Sequence, residues 1–321
     1  MIARWGVAIA AAILAMALGA PLLAPYDPNQ QLDPAAGRHL RPGAEVAVVR
    51  LLDGRTFFAE QVEPNGGDLV LHRLGRLEHI PLTEVANLNG DTVTERQRFL
   101  LGSDRFGRDL LSRIVYGARV TLAVALPALA LALSLGIAVG GAAAMGGRLV
   151  DAILMRTVDA LLAFPALPLA LALAALLRST QVTLVLVLAA ISWMSLARLV
   201  RAEVLSLKER EFVAAARASG QRPLAIFLRH LLPNAWAPVL ADSALRVGDL
   251  ILVEAALSFL GLGIQPPTPS WGSMIAEGRD VLHSAWWVAA FPGLAIALAV
   301  IACNLVADGL RDRLDPKHAA A

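Results

Sequence analysis

Residues 206–234 read SLKEREFVAAARASGQRPLAIFLRHLLPN, from Ser206 to Asn234. This is the longest charged segment in the second half of a very apolar chain. Ser206-Leu207-Lys208-Glu209 has the spacing of a capping box, which predicts a helix starting there. Glu211, Ala214, Ala215, Ala216 and Ala218 favour its continuation, and Gly220 suits a left-handed stop just past its end. Pro223 fits the first turn of a second helix, carrying Ile226, Phe227, Leu231 and Leu232. Pro233 falls where the next apolar run begins. The expected form is helix, glycine turn, helix, set between two membrane spans.

The rest of the chain supplies the spans. It has 321 residues, 57% of them hydrophobic, and a mean hydropathy of +0.62. Those values point to a polytopic membrane protein. The net charge of +2 implies no broad nucleic-acid surface. A single cysteine, Cys303, excludes a disulfide within the chain. The sequence has no GxxxxGK[ST] phosphate loop, no HExxH, no paired CxxC and no GxSxG. No catalytic residue, metal site or cofactor is therefore expected in this chain.

Trp5–Ala24 is uncharged and about 30 Å long as a helix. It reads as an uncleaved first span, with a processed leader as the competing reading. Val120–Gly147 gives the second span, and Gly136 and Gly140 permit close helix approach. Ala160–Leu177 is the third, interrupted by Pro165 and Pro168, and Ser179–Ala197 is the fourth. The fifth, Pro238–Gly263, holds Asp242, Arg246, Asp249 and Glu254. Ionisable groups in a span are costly unless paired or wet. They fit a charge-paired bundle interface or a hydrated translocation pathway equally well. Val281–Ala307 is the sixth span, with Trp286 and Trp287 as interfacial anchors.

Between the first two spans the chain turns polar. Residues 45–52, 55–63, 68–74 and 76–85 read as short strands, with turns at Asp53-Gly54 and Pro64–Gly67. A β module of about 45 residues is expected, too small for a self-sufficient core. His39, His72 and His79 have no ligand spacing.

Two motifs carry a family resemblance. Residues 214–233 resemble the EAA loop of ABC importer permeases: Ala214-Ala215-Ala216, Gly220, His230 and Leu232-Pro233 align with its pattern. Ala214 stands for the usual Glu and His230 for the usual Ile. By the residues alone an amphipathic loop without a docking role fits as well. Leu101–Leu122 is similar to a signature of one subfamily, the second, C-type permease subunit of dipeptide, oligopeptide and nickel importers. Asp104, Gly107, Arg108, Asp109 and Arg113 are all in place. At helical spacing the charged members of that set would form an interfacial pairing ladder. Leu257–Gly272 matches the same subfamily.

The resemblance covers the first span and residues 99–314. It implies an all-α polytopic membrane protein with the six-helix type I ABC importer fold, carrying a small external β insert. The expected divisions are a first span at 1–25 and an external segment at 26–98, with its β module at about 43–90. A five-helix core at 99–314 contains a coupling loop at 204–236, and a cytoplasmic tail follows at 315–321. The resemblance implies a second permease subunit, two ATPase subunits that bind ATP and magnesium, and an external solute-binding protein. Basic residues of the short loops, among them Arg201, Lys208, Arg210, Arg217, Arg222 and Arg229, lie on the coupling-loop side. They predict that this loop and both termini face the cytoplasm. The rival classes are an ion-coupled secondary transporter or channel, and a membrane anchor displaying the β module. The solute is not legible.

Overall fold

Each apolar run expected to span a membrane contains a helix in the computed structural model, which describes residues 2–90, 92–93 and 95–314. The chain opens with α1 (Ile2–Leu18) and the single turn α2 (Ala20–Leu23). Eight strands follow: β1 (Ala44–Arg50), β2 (Thr56–Ala59), β3 (Gln61–Asn65), β4 (Asp68–Arg73), β5 (Arg76–Pro81), β6 (Leu88–Asn89), β7 (Thr92–Val93) and β8 (Arg96–Phe99). The helices are α3 (Leu110–Met145), α4 (Gly147–Leu162), α5 (Ala166–Leu176), α6 (Gln181–Lys208), α7 (Glu211–Ala218), α8 (Pro223–Ile226), α9 (Leu232–Phe259), α10 (Trp271–Arg279) and α11 (Trp287–Leu314). The expected tail at 315–321, with Lys317, lies outside the described residues.

Among the described residues, α3, α6 and α11 are long and apolar enough to cross a membrane. The third span differs most from expectation. Its charged approach, Arg148 to Asp159, is itself the helix α4, and α4 meets α5 at an 85° bend before Pro165. Taken as one bent span, the pair makes a fourth. α5 alone, at 11 residues, reaches only about 16 Å. α9 has the length, but its charged side chains keep it from counting as plainly apolar. Trp286 is exposed whereas Trp287 is buried, so the two are not a matched pair of anchors.

The chain falls into two compact units. In its described part the first comprises residues 2–15, 120–265 and 296–314. Here α6 packs on α4, α5 and α9. Gly136 and Gly140 let α3 lie directly on α6: a Cβ at Gly136 would stand 2.7 Å from Leu196 Cβ, and one at Gly140 would strike the Ala197 carbonyl. Small residues bring two backbones together here, as the sequence suggested.

The second unit comprises residues 16–119 and 266–295. Its described strands form two three-stranded antiparallel sheets, β2-β1-β8 and β3-β4-β5, and a two-stranded antiparallel pair, β6-β7. The single strand expected over 55–63 breaks at Glu60, because its two halves belong to different sheets. The module also runs to Phe99 rather than to about residue 90. β8 alternates charged side chains outward with Gln97 and Phe99 inward, and four residues are too short for a clear period. Both expected turns form. Gly54 has φ +89°, and Gly66 and Gly67, at φ +60° and +102°, join the paired residues Asn65 and Asp68. Val49, Leu51, Leu69, Leu71 and Ile80 fill one core, and Val46, Val48, Phe58 and Phe99 a second.

Candidate functional site

The helix start expected at Ser206 is not there. α6 continues to Lys208 because Val200 and Val204 keep one face buried, and Lys208 Nζ donates to the Ala144 carbonyl at 2.9 Å. Ser-x-x-Glu serves a helix interior as well as a start. α7 begins instead at Glu211, after Arg210 in extended backbone. Its end is as expected. Gly220 has φ +74°, its N–H donates to the Arg217 carbonyl at 2.9 Å, and Gln221 N–H reaches the Ala216 carbonyl at 3.2 Å. That pair of bonds is a Schellman stop, which needs a left-handed residue.

The aligned residues divide by face. Val213 and Ala216 are buried against Val200, Val204 and Phe227. Ala214, Ala215 and Gly220 are exposed. His230 Nε2 meets Gln221 Oε1 at 2.9 Å and ties the second helix to the turn. Leu232 is half-buried and Pro233 exposed. Phe212, Leu224 and Leu228 leave apolar surface on the same segment.

No break separates this segment from the fifth apolar run. α8, a wide π turn at Phe227–Leu231 and α9 follow without interruption, and Leu232 N–H reaches back five residues to the Phe227 carbonyl. A proline ring crowds the carbonyl four residues before it, here that of Arg229. The wide turn falls at that position.

On α9, Asp242, Arg246 and Asp249 share one face. Arg246 Nε donates to Asp242 Oδ2 at 2.6 Å, with side chains 19% and 26% exposed. Asp249 is exposed and has no ion-pair partner among the described residues. Glu254 lies about a third of a turn away. It is wholly buried and accepts from Thr121 Oγ1 at 3.2 Å and Ser258 Oγ at 2.7 Å. The four candidates are thus three on one face and one anchored in the interior. Arg246→Ala should cost about 1–3 kcal/mol, between an exposed and a buried pair, since it strands Asp242. Arg246→Ala with Asp242→Asn should recover part of the loss in a thermal-unfolding series. Parental melting and transport in the single variant would show that both side chains are simply solvated.

The subfamily motif forms a buried ion cluster rather than a helical ladder. Residues 102–109 are a loop, with Gly107 at φ +74° and Asp104 N–H donating to the Arg108 carbonyl. Arg108 Nε binds Asp104 Oδ2 at 2.5 Å, and its Nη2 binds Glu277 Oε2 at 2.9 Å. Arg113 sits 3.4 Å from Asp104 and 3.6 Å from Glu277, and donates to the Pro28 carbonyl at 3.2 Å. All four charged side chains are 8% exposed or less. Among the described residues, Asp109 pairs with no arginine. It caps α3, accepting from Ser112 N at 2.8 Å and Ser112 Oγ at 2.7 Å. Burial pushes its carboxyl above the ordinary range, against those two bonds. Trp271 locks α10 to α3 beside the cluster: its Nε1 donates to the Ile114 carbonyl at 3.0 Å, and its ring lies over Gly117.

Residues 132–319 match the family described as binding-protein-dependent transport system inner membrane component. The chain belongs to this family. Residues 1–42 match the N-terminal transmembrane domain of oligopeptide transport permease C, in line with the C-type resemblance. This permease is 44% identical over 220 residues to the di/tripeptide transport system permease protein DppC of Pseudomonas aeruginosa, covering 68% of this chain and 73% of that one. It is 44% identical to a dipeptide transport system permease protein DppC of Alkalihalophilus pseudofirmus, over 67% of this chain and 71% of that one. Among solved structures it resembles the methionine ABC transporter MetNI in its inward-facing form. The TM-score is 0.51 at 20% identity, over 64% of this chain and 97% of that one. That likeness shows the importer fold. The β module lies between the two matched segments.

Sequence reasoning missed Glu277. It lies 169 residues from its partner Arg108 and resembles any surface glutamate of a short helix. The surplus of arginine over free carboxylate in the motif was the available signal.

Proposed function

We propose that this permease subunit imports peptides, forming half of a translocation pathway opposite a second permease of similar fold. Two cytoplasmic ATPase subunits would drive it, and an external solute-binding protein would deliver the solute. The observation that supports this reading is the unbroken helical path from Pro223, at the end of the exposed loop, through the π turn into the charged helix α9. Motion imposed at Pro223–Ile226 would pass into α9 with no break in the helix between. Nucleotide closure of the ATPases would thereby bias the permease pair between inward and outward states. Ala214, Ala215, Ala216, Gly220, His230, Leu232 and Pro233 would serve docking and coupling. Asp242, Arg246 and Asp249 would line the pathway, and Glu254 would hold α9 to α3. The chain itself would hydrolyse no ATP.

The decisive test is reconstitution with the partner subunits. ATPase subunits should co-purify, the isolated chain should hydrolyse no ATP, and a labelled dipeptide should accumulate only with ATP and the binding protein. Accumulation driven by an ion gradient without ATPases would support the secondary-transporter reading instead. In orientation we take the basic loops as cytoplasmic and the β module as external. Cysteines at Asp53, in an exposed turn, and at Asn65, at the exposed end of β3, should label from outside in spheroplasts. Labelling only after permeabilisation would reverse the topology.

A further inference from the structure

The β module is fastened to the rest of its unit by more than its two chain connections. Asp33, on the segment leading from α2 to β1, is 4% exposed and carries a dense set of bonds. Its carboxylate accepts from Phe58 N at 2.9 Å, from Arg73 Nη2 at 2.8 Å and Nε at 3.2 Å, and from Ala35 and Ala36 N–H. Phe58 and Arg73 belong to different sheets, so this one side chain clamps both. Arg73 is 10% exposed and also binds Glu78. A buried pair of this kind costs desolvation, which a loosely tethered appendage would have no use for.

From Asp33 a continuous set of contacts leads to the ion cluster. Four residues on, Gly37 abuts Gly107: a Cβ at Gly37 would stand 3.1 Å from Gly107 Cα and 3.0 Å from Phe58. Ser103 Oγ donates to the Gly37 carbonyl and accepts from Leu40 N–H. His39 N–H donates to the Asp104 carbonyl at 3.1 Å. Asp104 is the carboxylate shared by Arg108 and Arg113, and both arginines hold Glu277 of α10.

We propose that the Asp33–Arg73 clamp makes the β module a positioning element for the junction of α3 and α10. On this inference Arg73 and Asp33 are positioning residues that act through Asp104 and touch no solute. The module fixes the cluster, and the cluster holds the short helix between α9 and α11 onto the start of α3. The step goes beyond the import reading and does not depend on which side the module faces.

The test uses the assembled transporter with its partners in lipid nanodiscs. Arg73→Met removes the cation and leaves the backbone bonds of Asp33 in place. Hydrogen exchange of amides 110–117 and 271–279 should quicken about tenfold, although none of them touches Arg73. Solute imported per ATP hydrolysed should fall about fivefold, while the binding-protein concentration giving half-maximal rate stays put. Arg73→Lys should restore most of both. Glu78→Gln, at the exposed partner, should change neither. If exchange quickens only within residues 44–81 and coupling is parental, the module is an independent appendage and the proposal fails. It fails too if Arg73→Lys behaves as Arg73→Met. Should Arg73→Met be lost from the membrane, Arg73→Lys and Arg73→Gln compared at matched abundance decide by the same readouts. The exchange measurement is independent of transport, so it stands even if no peptide is imported.

Discussion

Arg108→Ala should be the most damaging single substitution in this chain. It removes the cation nearest to both Asp104 and Glu277, and those carboxylates are 1% and 8% exposed. Arg113 remains, but at 3.4 and 3.6 Å, and with no hydrogen-bond partner for its Nε among the described residues, it cannot satisfy both. Stranding a charge from a buried pair costs about 3–5 kcal/mol. On an ordinary stability of about 5–15 kcal/mol, that is enough to lower membrane abundance severalfold. Arg108→Met with Glu277→Gln should recover much of the loss, since removing both partners leaves fewer uncompensated groups. Abundance by quantitative blot and melting in detergent check the pair of variants. An unshifted melting point for Arg108→Ala would mean that water reaches the cluster.

Gly220→Val should spare the fold and spoil the coupling. A Cβ at Gly220 would meet nothing within 4 Å, so there is no clash to disrupt the protein. The cost lies in the backbone. A left-handed conformation at φ +74° costs an L-residue about 1–2 kcal/mol, and more when it is branched. The segment can relieve that strain by giving up the Schellman bonds, which reorients α8 relative to α7. Membrane abundance should stay near parental, and ATPase co-purification or solute-stimulated hydrolysis should drop several-fold. Gly220→Asn, which tolerates the left-handed region, should behave nearly as the parent. Normal coupling in Gly220→Val would make the loop a mere linker.

How much of this was legible in the sequence depended on the range of the interaction involved. Gly220 was readable because a helix stop is decided by a few adjacent residues. The same holds for the turns at Gly54 and at Gly66-Gly67. Apolar runs located the helices but not their ends: α3 starts ten residues before its run does, because Asp109 caps it outside the apolar stretch. α4 was passed over as a charged connection. Its Asp151 meets Arg201 of α6 in a two-pronged ion pair and its Asp159 lies 3.8 Å from Arg198, so its two carboxylates face a partner helix. The cluster around Arg108 was misread as a ladder along one helix. A loop with Gly107 in the left-handed region brings those charges together, and its closing partner lies far along the chain. Glu254 looked like its charged neighbours on α9, and only the helical angle and two hydroxyls set it apart.

The π turn at Phe227–Leu231 sets a phase between two ends of one rod. A π turn holds one more residue than an ordinary turn, so everything before it is rotated by about 100° relative to a plain α-helix. The face that Pro223–Ile226 presents is therefore locked to the azimuth of Asp242 and Arg246 by the residue count between them. Removing Leu228 would let the turn close to α with the two faces still in phase, whereas removing one residue from the plain α stretch between Pro233 and Asp242 would swing one face about 100° past the other, with every contact chemistry unchanged. The length of this stretch is as fixed a part of the sequence as any side chain in it, and the Cα register of such a deletion variant, read from its structure, would show the swing directly.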